Sequence, residues 1–268
     1  MNKIKLIAID IDGTLLSTDR EVSRKNKEAI ARALSKGIHV VLATGRMYSS
    51  ARQFGYLLPE AMPIIAYNGA LIRELNDGKI YFQQNMPNEE ALMVDELIRP
   101  YGLQANFYVE DQLYAHQDNP WIQGYSDHVR VPHHTLRKGE LEELAQANKI
   151  IKMAAMGEEE RIDWFLKQEY EKLESRLYVV KSLPFFLEFA HRDVNKGTGL
   201  QALGEILDIS TKEMMAIGDN MNDLEMLELA GYPVVMGNGN PALKERGWHV
   251  TTGNDEDGVA EAINLFTA

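Results

Sequence analysis

The 268-residue chain contains no cysteine. That absence excludes disulfide bridges, thiolate metal sites and a cysteine nucleophile. No apolar run approaches the roughly 18 residues that mark a membrane-spanning helix. A basic excess is missing too: the formal net charge is -12 at pH 7, so neither nucleic acid nor an acidic membrane surface is an expected partner. Any phosphate site must then be locally positive against an acidic background. Internal repeats, low-complexity tracts and long flexible linkers are absent as well. The chain opens in a strand pattern without a basic, apolar, small-residue leader, which makes a cytoplasmic location the expectation. What remains is 45% hydrophobic and long enough for one large domain or two ordinary ones.

Strand and helix patterns alternate from the start. Residues 4–9 read as a buried strand. Ser23 is a plausible N-cap for a helix whose face is Ala29, Ile30, Ala33 and Leu34, and Gly37 sits where a left-handed residue would end it. A second strand, residues 38–43, stops at Thr44-Gly45-Arg46, and residues 49–58 read as helix. A third strand, 64–67, ends at Asn68-Gly69-Ala70. The alternation resumes near the C-terminus with a helix over 196–207, a strand over 214–217, the run Gly218-Asp219-Asn220-Met221-Asn222-Asp223, a helix through Leu229 and a strand over 233–236. This order predicts an α/β fold, a doubly wound parallel sheet with helices on both faces. Ligands gather at the carboxyl ends of such strands, and every polar cluster just named lies at one of them.

The middle behaves differently. Asn76-Asp77-Gly78 signals a hairpin, followed by helix patterns at 89–98 and 159–170 and strand patterns at 105–109, 112–116, 150–156, 176–180 and 185–189. Asp12 to Thr44 leaves room for one helical crossover, whereas the stretch from Thr44 to Lys196 is several times longer. A further crossover or two needs about 30 residues each, so roughly 100 residues form an insert. The expected division is a core of residues 1–82 and 190–268 and an inserted α+β cap of residues 83–189, placed where it could close over the strand ends as a lid.

The densest chemistry is Asp10-Ile11-Asp12-Gly13-Thr14, directly after the first strand. Carboxylates at i and i+2 share one side of a strand end. Two anions so close need a cation between them or a proton on one of them. Both solutions suit phosphoryl transfer, one carboxylate attacking phosphorus beside a magnesium ion while the other handles the leaving-group proton. A plain Asp-Gly turn is the alternative. Thr44 and Arg46 offer a hydroxyl and a guanidinium for phosphate oxygens, though Thr44 equally suits a helix N-cap. Lys196 stands in the first turn of a helix, where it opposes the dipole and is placed to neutralise a bound anion; otherwise it is a solvated lysine. Asp219 and Asp223 bracket Asn220 and Asn222, an oxygen-rich group suited to a hard divalent cation, or else an Asx-rich loop.

Together these four clusters resemble the motifs of the haloacid dehalogenase superfamily, in its Cof-type branch with a large cap between the second and third motifs. The resemblance spans the whole chain, with no departure that suggests an inactive relative. It implies a Rossmann-like core and an aspartyl-phosphate intermediate, with Asp10 as nucleophile and Asp12 as general acid, then base. Thr44 and Lys196 would hold phosphate and stabilise charge, and Gly45, Arg46, Asn68 and Asn222 would line the substrate site. Magnesium would be held by Asp10, the backbone carbonyl of Asp12 and Asp219, with Asp223 in support. The implied activity is a magnesium-dependent phosphatase of small phosphorylated metabolites, sugar phosphates foremost, working as a monomer or homodimer.

Three rivals remain. A receiver-type signalling domain shares the acidic pair, hydroxyl and lysine but needs only about 120 residues and no cap. A non-catalytic phosphometabolite-binding protein gains nothing from the second carboxylate, Asp12. A sugar phosphomutase is the nearest competitor, since related capped proteins move phosphate between positions of one sugar and differ in excluding water from the aspartyl phosphate. Within the cap, Glu110, Asp111, Trp121, Tyr125, Arg130, His133 and His134 are candidate cleft residues, each equally at home on a surface or in a core. The adjacent histidines should point apart rather than form a metal pair, and the polar stretch 116–121 reads as a loop.

Overall fold

Leu6–Ile9 (β1) is buried at every position in the computed structural model, which describes residues 3–58 and 62–268. A strand covered on both faces needs an unbroken apolar run, the mark of a central parallel strand. There follow α1 (Arg24–Ser35), β2 (His39–Ala43), α2 (Tyr48–Gly55), β3 (Ile64–Ala66), β4 (Leu71–Arg73) and β5 (Ile80–Gln83). Next come α3 (Asn88–Ile98), β6 (Gln104–Val109), β7 (Gln112–Ala115), α4 (Pro120–Val129), β8 (His133–Thr135), α5 (Glu140–Gln146), β9 (Ile150–Met156), α6 (Glu159–Leu173), β10 (Leu177–Leu183) and β11 (Phe186–His191). The chain closes with α7 (Lys196–Leu207), β12 (Met214–Gly218), α8 (Leu224–Leu229), β13 (Tyr232–Val235), α9 (Pro241–Lys244), β14 (His249–Val250) and α10 (Gly258–Thr267).

Two compact units result: Met1–Phe82 with Asn195–Ala268, and Gln83–Val194. The first holds an eight-stranded sheet in the order β14-β13-β12-β1-β2-β3-β4-β5. Its strands run parallel from β14 through β3, and β4 turns back antiparallel. The hairpin signalled by Asn76-Asp77-Gly78 therefore belongs to the edge of this sheet. One face packs Leu6, Ala8, Val41 and Ala216 against Leu200 and Leu203 of α7 and Met226 and Leu227 of α8. Ser23 caps α1 by accepting from the Asn26 amide at 3.1 Å, and Gly37 ends it at φ 75°.

The second unit holds a six-stranded sheet, β10-β11-β9-β6-β7-β8, mostly antiparallel with β7 and β8 parallel. Its own core packs Phe107, Met153, Leu187 and Phe189 against Val94 of α3, Leu141 of α5 and Phe165 of α6. The sequence pattern needs three corrections here. The stretch 116–121 is not simply a loop: Asn119 caps α4 by accepting from the Trp121 and Ile122 amides, and Pro120 takes the first helical position. β8 and α5 are further elements in a segment where the pattern names neither strand nor helix. The junction back to the first unit falls after Val194 rather than at 189/190, because β11 continues to His191. Among the described residues no helix is long and apolar enough to cross a membrane.

Candidate active site

Four strands of the first unit end in polar loops at the same edge of the sheet, and their side chains converge. After β1 the chain turns sharply. Gly13 takes φ 79°, and a Cβ there would stand 2.5 Å from Asp219 Oδ2. Only glycine accepts both the angle and the approach. Asp10 is buried with 4% of its surface exposed. Lys196, wholly buried at the first position of α7, donates to Asp10 Oδ1 at 2.6 Å and to Asp223 Oδ1 at 2.6 Å. The other Asp223 oxygen accepts from the Asp219 and Asn220 amides at 2.9 and 3.0 Å. Thr14 Oγ1 donates to Asp219 Oδ1 at 2.9 Å, tying the first loop to the fourth.

Asp12 is held apart from this group. The Arg46 guanidinium grips its carboxylate in a bidentate fork, Nε to Oδ2 at 2.5 Å and Nη2 to Oδ1 at 2.6 Å. Arg46 also donates to Ser50 Oγ at 3.0 Å and stacks 5.0 Å from the Phe54 ring. Arg46, expected at the phosphate, thus engages Asp12 through this fork. Thr44 is buried, and its hydroxyl accepts from the Arg46 amide at 3.1 Å. It is no helix cap, since Met47 precedes the first residue of α2. Asn68 sits at φ 54° and accepts from Asn222 Nδ2 at 3.3 Å, so the third and fourth loops also meet. Gly45 lies close to the same asparagine: a Cβ there would stand 2.8 Å from Asn68 Oδ1.

Asp10, Asp219 and Asp223 each offer a carboxylate oxygen within 4.8 Å of the others. The Asp12 carboxylate, expected near the metal only through its backbone carbonyl, is outside this cluster. Four carboxylates face two cations, Lys196 and Arg46. Burial pushes the Asp10 carboxyl well above the usual range; Lys196 pulls it down, while the charges of Asp223, Asp219 and Asp12 raise it further. Burial and then the Asp223 charge push Asp219 up to about 6, against the Thr14 hydrogen bond. Burial works against the Lys196 ammonium, yet its two carboxylate partners outweigh that and keep it charged far beyond the ordinary lysine range. An all-oxygen donor set with surplus negative charge suits a hard divalent cation.

Two participants escaped the sequence pattern. Asn238, in the loop after β13, donates to the Gly13 carbonyl at 2.8 Å; its position at the end of a parallel strand is the signal that could have found it. Asn195 caps α7 by accepting from the Thr198 amide at 2.8 Å and so fixes the turn that carries Lys196. Among the cap candidates, only Tyr125 enters a buried aromatic group, donating or accepting with Tyr108 at 2.7 Å and stacking on Phe186. Trp121 is 40% exposed, Arg130 ends α4 at φ 56°, and Glu110 and Asp111 make the tight β6–β7 turn at φ 48° and 63°. His133 meets Asp118 at 3.0 Å while His134 lies against the Tyr114 ring, so the pair does point apart.

Residues 7–263 match the family model of haloacid dehalogenase-like hydrolases. A protein of Streptococcus pyogenes serotype M6 is 34% identical over 271 residues, 98% of each chain. The Bacillus subtilis 5-amino-6-(5-phospho-D-ribitylamino)uracil phosphatase YcsE is 30% identical over 260 residues, covering 97% of this chain and 94% of its own. A solved structure of the subclass IIB sugar phosphatase BT4131 superposes with a TM-score of 0.81 at 25% identity, covering 98% of each chain. The chain belongs to the haloacid dehalogenase-like hydrolases.

Proposed function

We propose that the protein is a magnesium-dependent phosphatase of small phosphorylated metabolites, with sugar phosphates as its substrate class. The observation that carries this reading is the buried Asp10 carboxylate, held at 2.6 Å by Lys196 at the end of β1 with Asp219 and Asp223 close by. Such a carboxylate has one oxygen fixed by the lysine and the other available for attack. In the proposed reaction Asp10 bonds to phosphorus as the ester oxygen departs, and Asp12 gives that oxygen its proton. Asp12 then takes a proton from water, whose oxygen attacks the aspartyl phosphate and releases inorganic phosphate and free Asp10. Lys196 offsets charge on the transferring group. Thr44, Gly45, Asn68 and Asn222 would orient the phosphoryl oxygens. Asp10, the Asp12 carbonyl and Asp219, backed by Asp223, would hold magnesium, which when bound neutralises charge around the phosphoryl group. The substrate class draws support from relatives named for a phosphoribityl compound and for sugar phosphates, both phosphate esters of hydroxylated carbon chains.

The test is a panel of phosphorylated metabolites assayed for released inorganic phosphate, with magnesium, with excess chelator and with calcium. Magnesium should be required. Calcium should inhibit, because its looser, higher coordination ties up the nucleophilic oxygen. Full activity in chelator would refute the metal requirement, and phosphate moved between positions of one sugar without release would replace hydrolysis by mutase chemistry.

A further inference from the structure

Asp12 needs a holder. Its side chain is 53% exposed, and an aspartate left loose in solvent samples several rotamers, whereas proton transfer needs its oxygen within about 2.6–3.2 Å of the reacting group. The Arg46 fork supplies that hold, yet an arginine side chain is itself long and loses much rotamer freedom when fixed. Arg46 is restrained along its length. Its amide donates to Thr44 Oγ1 at 3.1 Å, and its carbonyl accepts from the Tyr67 amide at 2.9 Å. At the far end Nη1 donates to Ser50 Oγ at 3.0 Å, and the Phe54 ring centre lies 5.0 Å from the guanidinium carbon. Ser50 and Phe54 stand four apart on α2 and share one face, which Arg46 meets from four residues before Ser50. All three guanidinium nitrogens are thereby engaged, Nε and Nη2 on Asp12 and Nη1 on Ser50.

Ser50 is wholly buried. Helix stability does not ask for a serine there, since alanine has the higher helix propensity and no hydroxyl to desolvate. What the hydroxyl adds is an oxygen for a buried guanidinium donor. We infer that Ser50 is a positioning residue for the proton-transfer step, acting through Arg46 to hold the Asp12 carboxylate in its working orientation. The inference rests on the phosphatase reading, in which Asp12 gives the leaving oxygen its proton. Without the Ser50 oxygen, Nη1 loses a charged hydrogen bond, the guanidinium turns toward other acceptors, and the fork on Asp12 turns with it. The Phe54 ring is a second restraint on the same group.

The leaving group provides the test. A sugar hydroxyl departs poorly and needs the proton of Asp12, whereas acetate departs from acetyl phosphate without one. In magnesium, kcat/KM is measured on both donors for wild type, Ser50→Ala, Phe54→Leu, Asp12→Asn and the double variant Ser50→Ala/Asp12→Asn, each checked by circular dichroism. In Ser50→Ala the value for sugar phosphates should fall about 10-fold, part of the roughly 10²–10⁴-fold that a general acid-base group supplies, and the value for acetyl phosphate should fall much less. Phe54→Leu should shift the ratio of the two donors in the same direction, which decides the matter should Ser50→Ala not fold. On the Asp12→Asn background the serine change should add no further loss, because the group it positions is gone. Equal losses on both donors, undiminished sugar phosphate turnover, or the same loss repeated on top of Asp12→Asn would overturn the inference while leaving the phosphatase reading intact. A wild type that hydrolyses no donor in magnesium would overturn both.

Discussion

Asp10 and Asp12 differ in surroundings more than their adjacency in sequence suggests. One is buried against a lysine; the other has a side chain 53% exposed and gripped by Arg46. Their substitutions should therefore fail in different ways. Asp10→Asn should abolish turnover because no side-chain anion remains to attack phosphorus. Asp12→Asn should lower kcat by about 10²–10⁴-fold, the usual loss for a general acid-base group. Mass spectrometry after substrate exposure separates them, and a phosphorylated Asp10→Asn protein would refute the nucleophile assignment. Lys196→Met should also destabilise the fold by about 3–5 kcal/mol in metal-free urea unfolding, since it strands two buried carboxylates. At this scale the site was legible where a residue contradicts its local setting, as Lys196 does at a helix N-terminus. The buried Lys152–Glu188 pair of the second unit was not legible: each is a single charge in an apolar strand, and only the register of β6, β9 and β11 puts them on one face.

Among the elements, α7 is placed by its approach to the loop after β3. Gly69 takes φ 102°, and a Cβ there would lie 2.2 Å from the Asn195 carbonyl, immediately before Lys196. Gly37 also has positive φ, 75°, but nothing stands within 4 Å of its missing Cβ. Gly37→Ala should cost about 1–2 kcal/mol, the backbone penalty alone. Gly69→Ala should cost more and should lower kcat, because the carbonyl that must move carries the turn of Lys196. Equal effects of the two on thermal stability and turnover would remove the packing argument. The parallel strands were legible because burial on both faces leaves unbroken apolar runs, and α7 because Leu200, Leu203 and Leu207 recur at helical spacing, although its cap was not. α4 was not, since Asn119 and Pro120 are at once turn residues and a helix start, and Gly124 and the polar Ser126 interrupt the apolar spacing between Ile122 and Val129. β8, three residues long and mostly exposed, carries too little pattern to read.

For the whole molecule, an acidic chain gathers Asp10, Asp219 and Asp223 at one site, which couples folding to pH and, under the proposed function, to metal. Asp219 has a folded pKa of about 6, against 3.8 for an ordinary aspartate, and Asp10 shifts in the same direction. Raised folded values mean that these groups favour the folded state fully below the unfolded pKa and lose that contribution as pH rises through the folded one. Other carboxylates, such as Glu213 and Asp257, are shifted downward by partners and act oppositely at lower pH. Their contribution is common to the metal-free and metal-loaded protein, so it cancels from the difference between the two. A bound divalent cation competes with protons at the raised groups. The rise in Tm on adding magnesium should therefore be small at pH 5 and grow as pH passes 6, and Asp219→Asn should flatten that dependence. Differential scanning fluorimetry across this range, with magnesium or with chelator, measures it directly. An equal magnesium shift at pH 5 and pH 8 would mean that the carboxylates are already compensated by Lys196 and Arg46, and that the cluster is a structural network rather than a cation site.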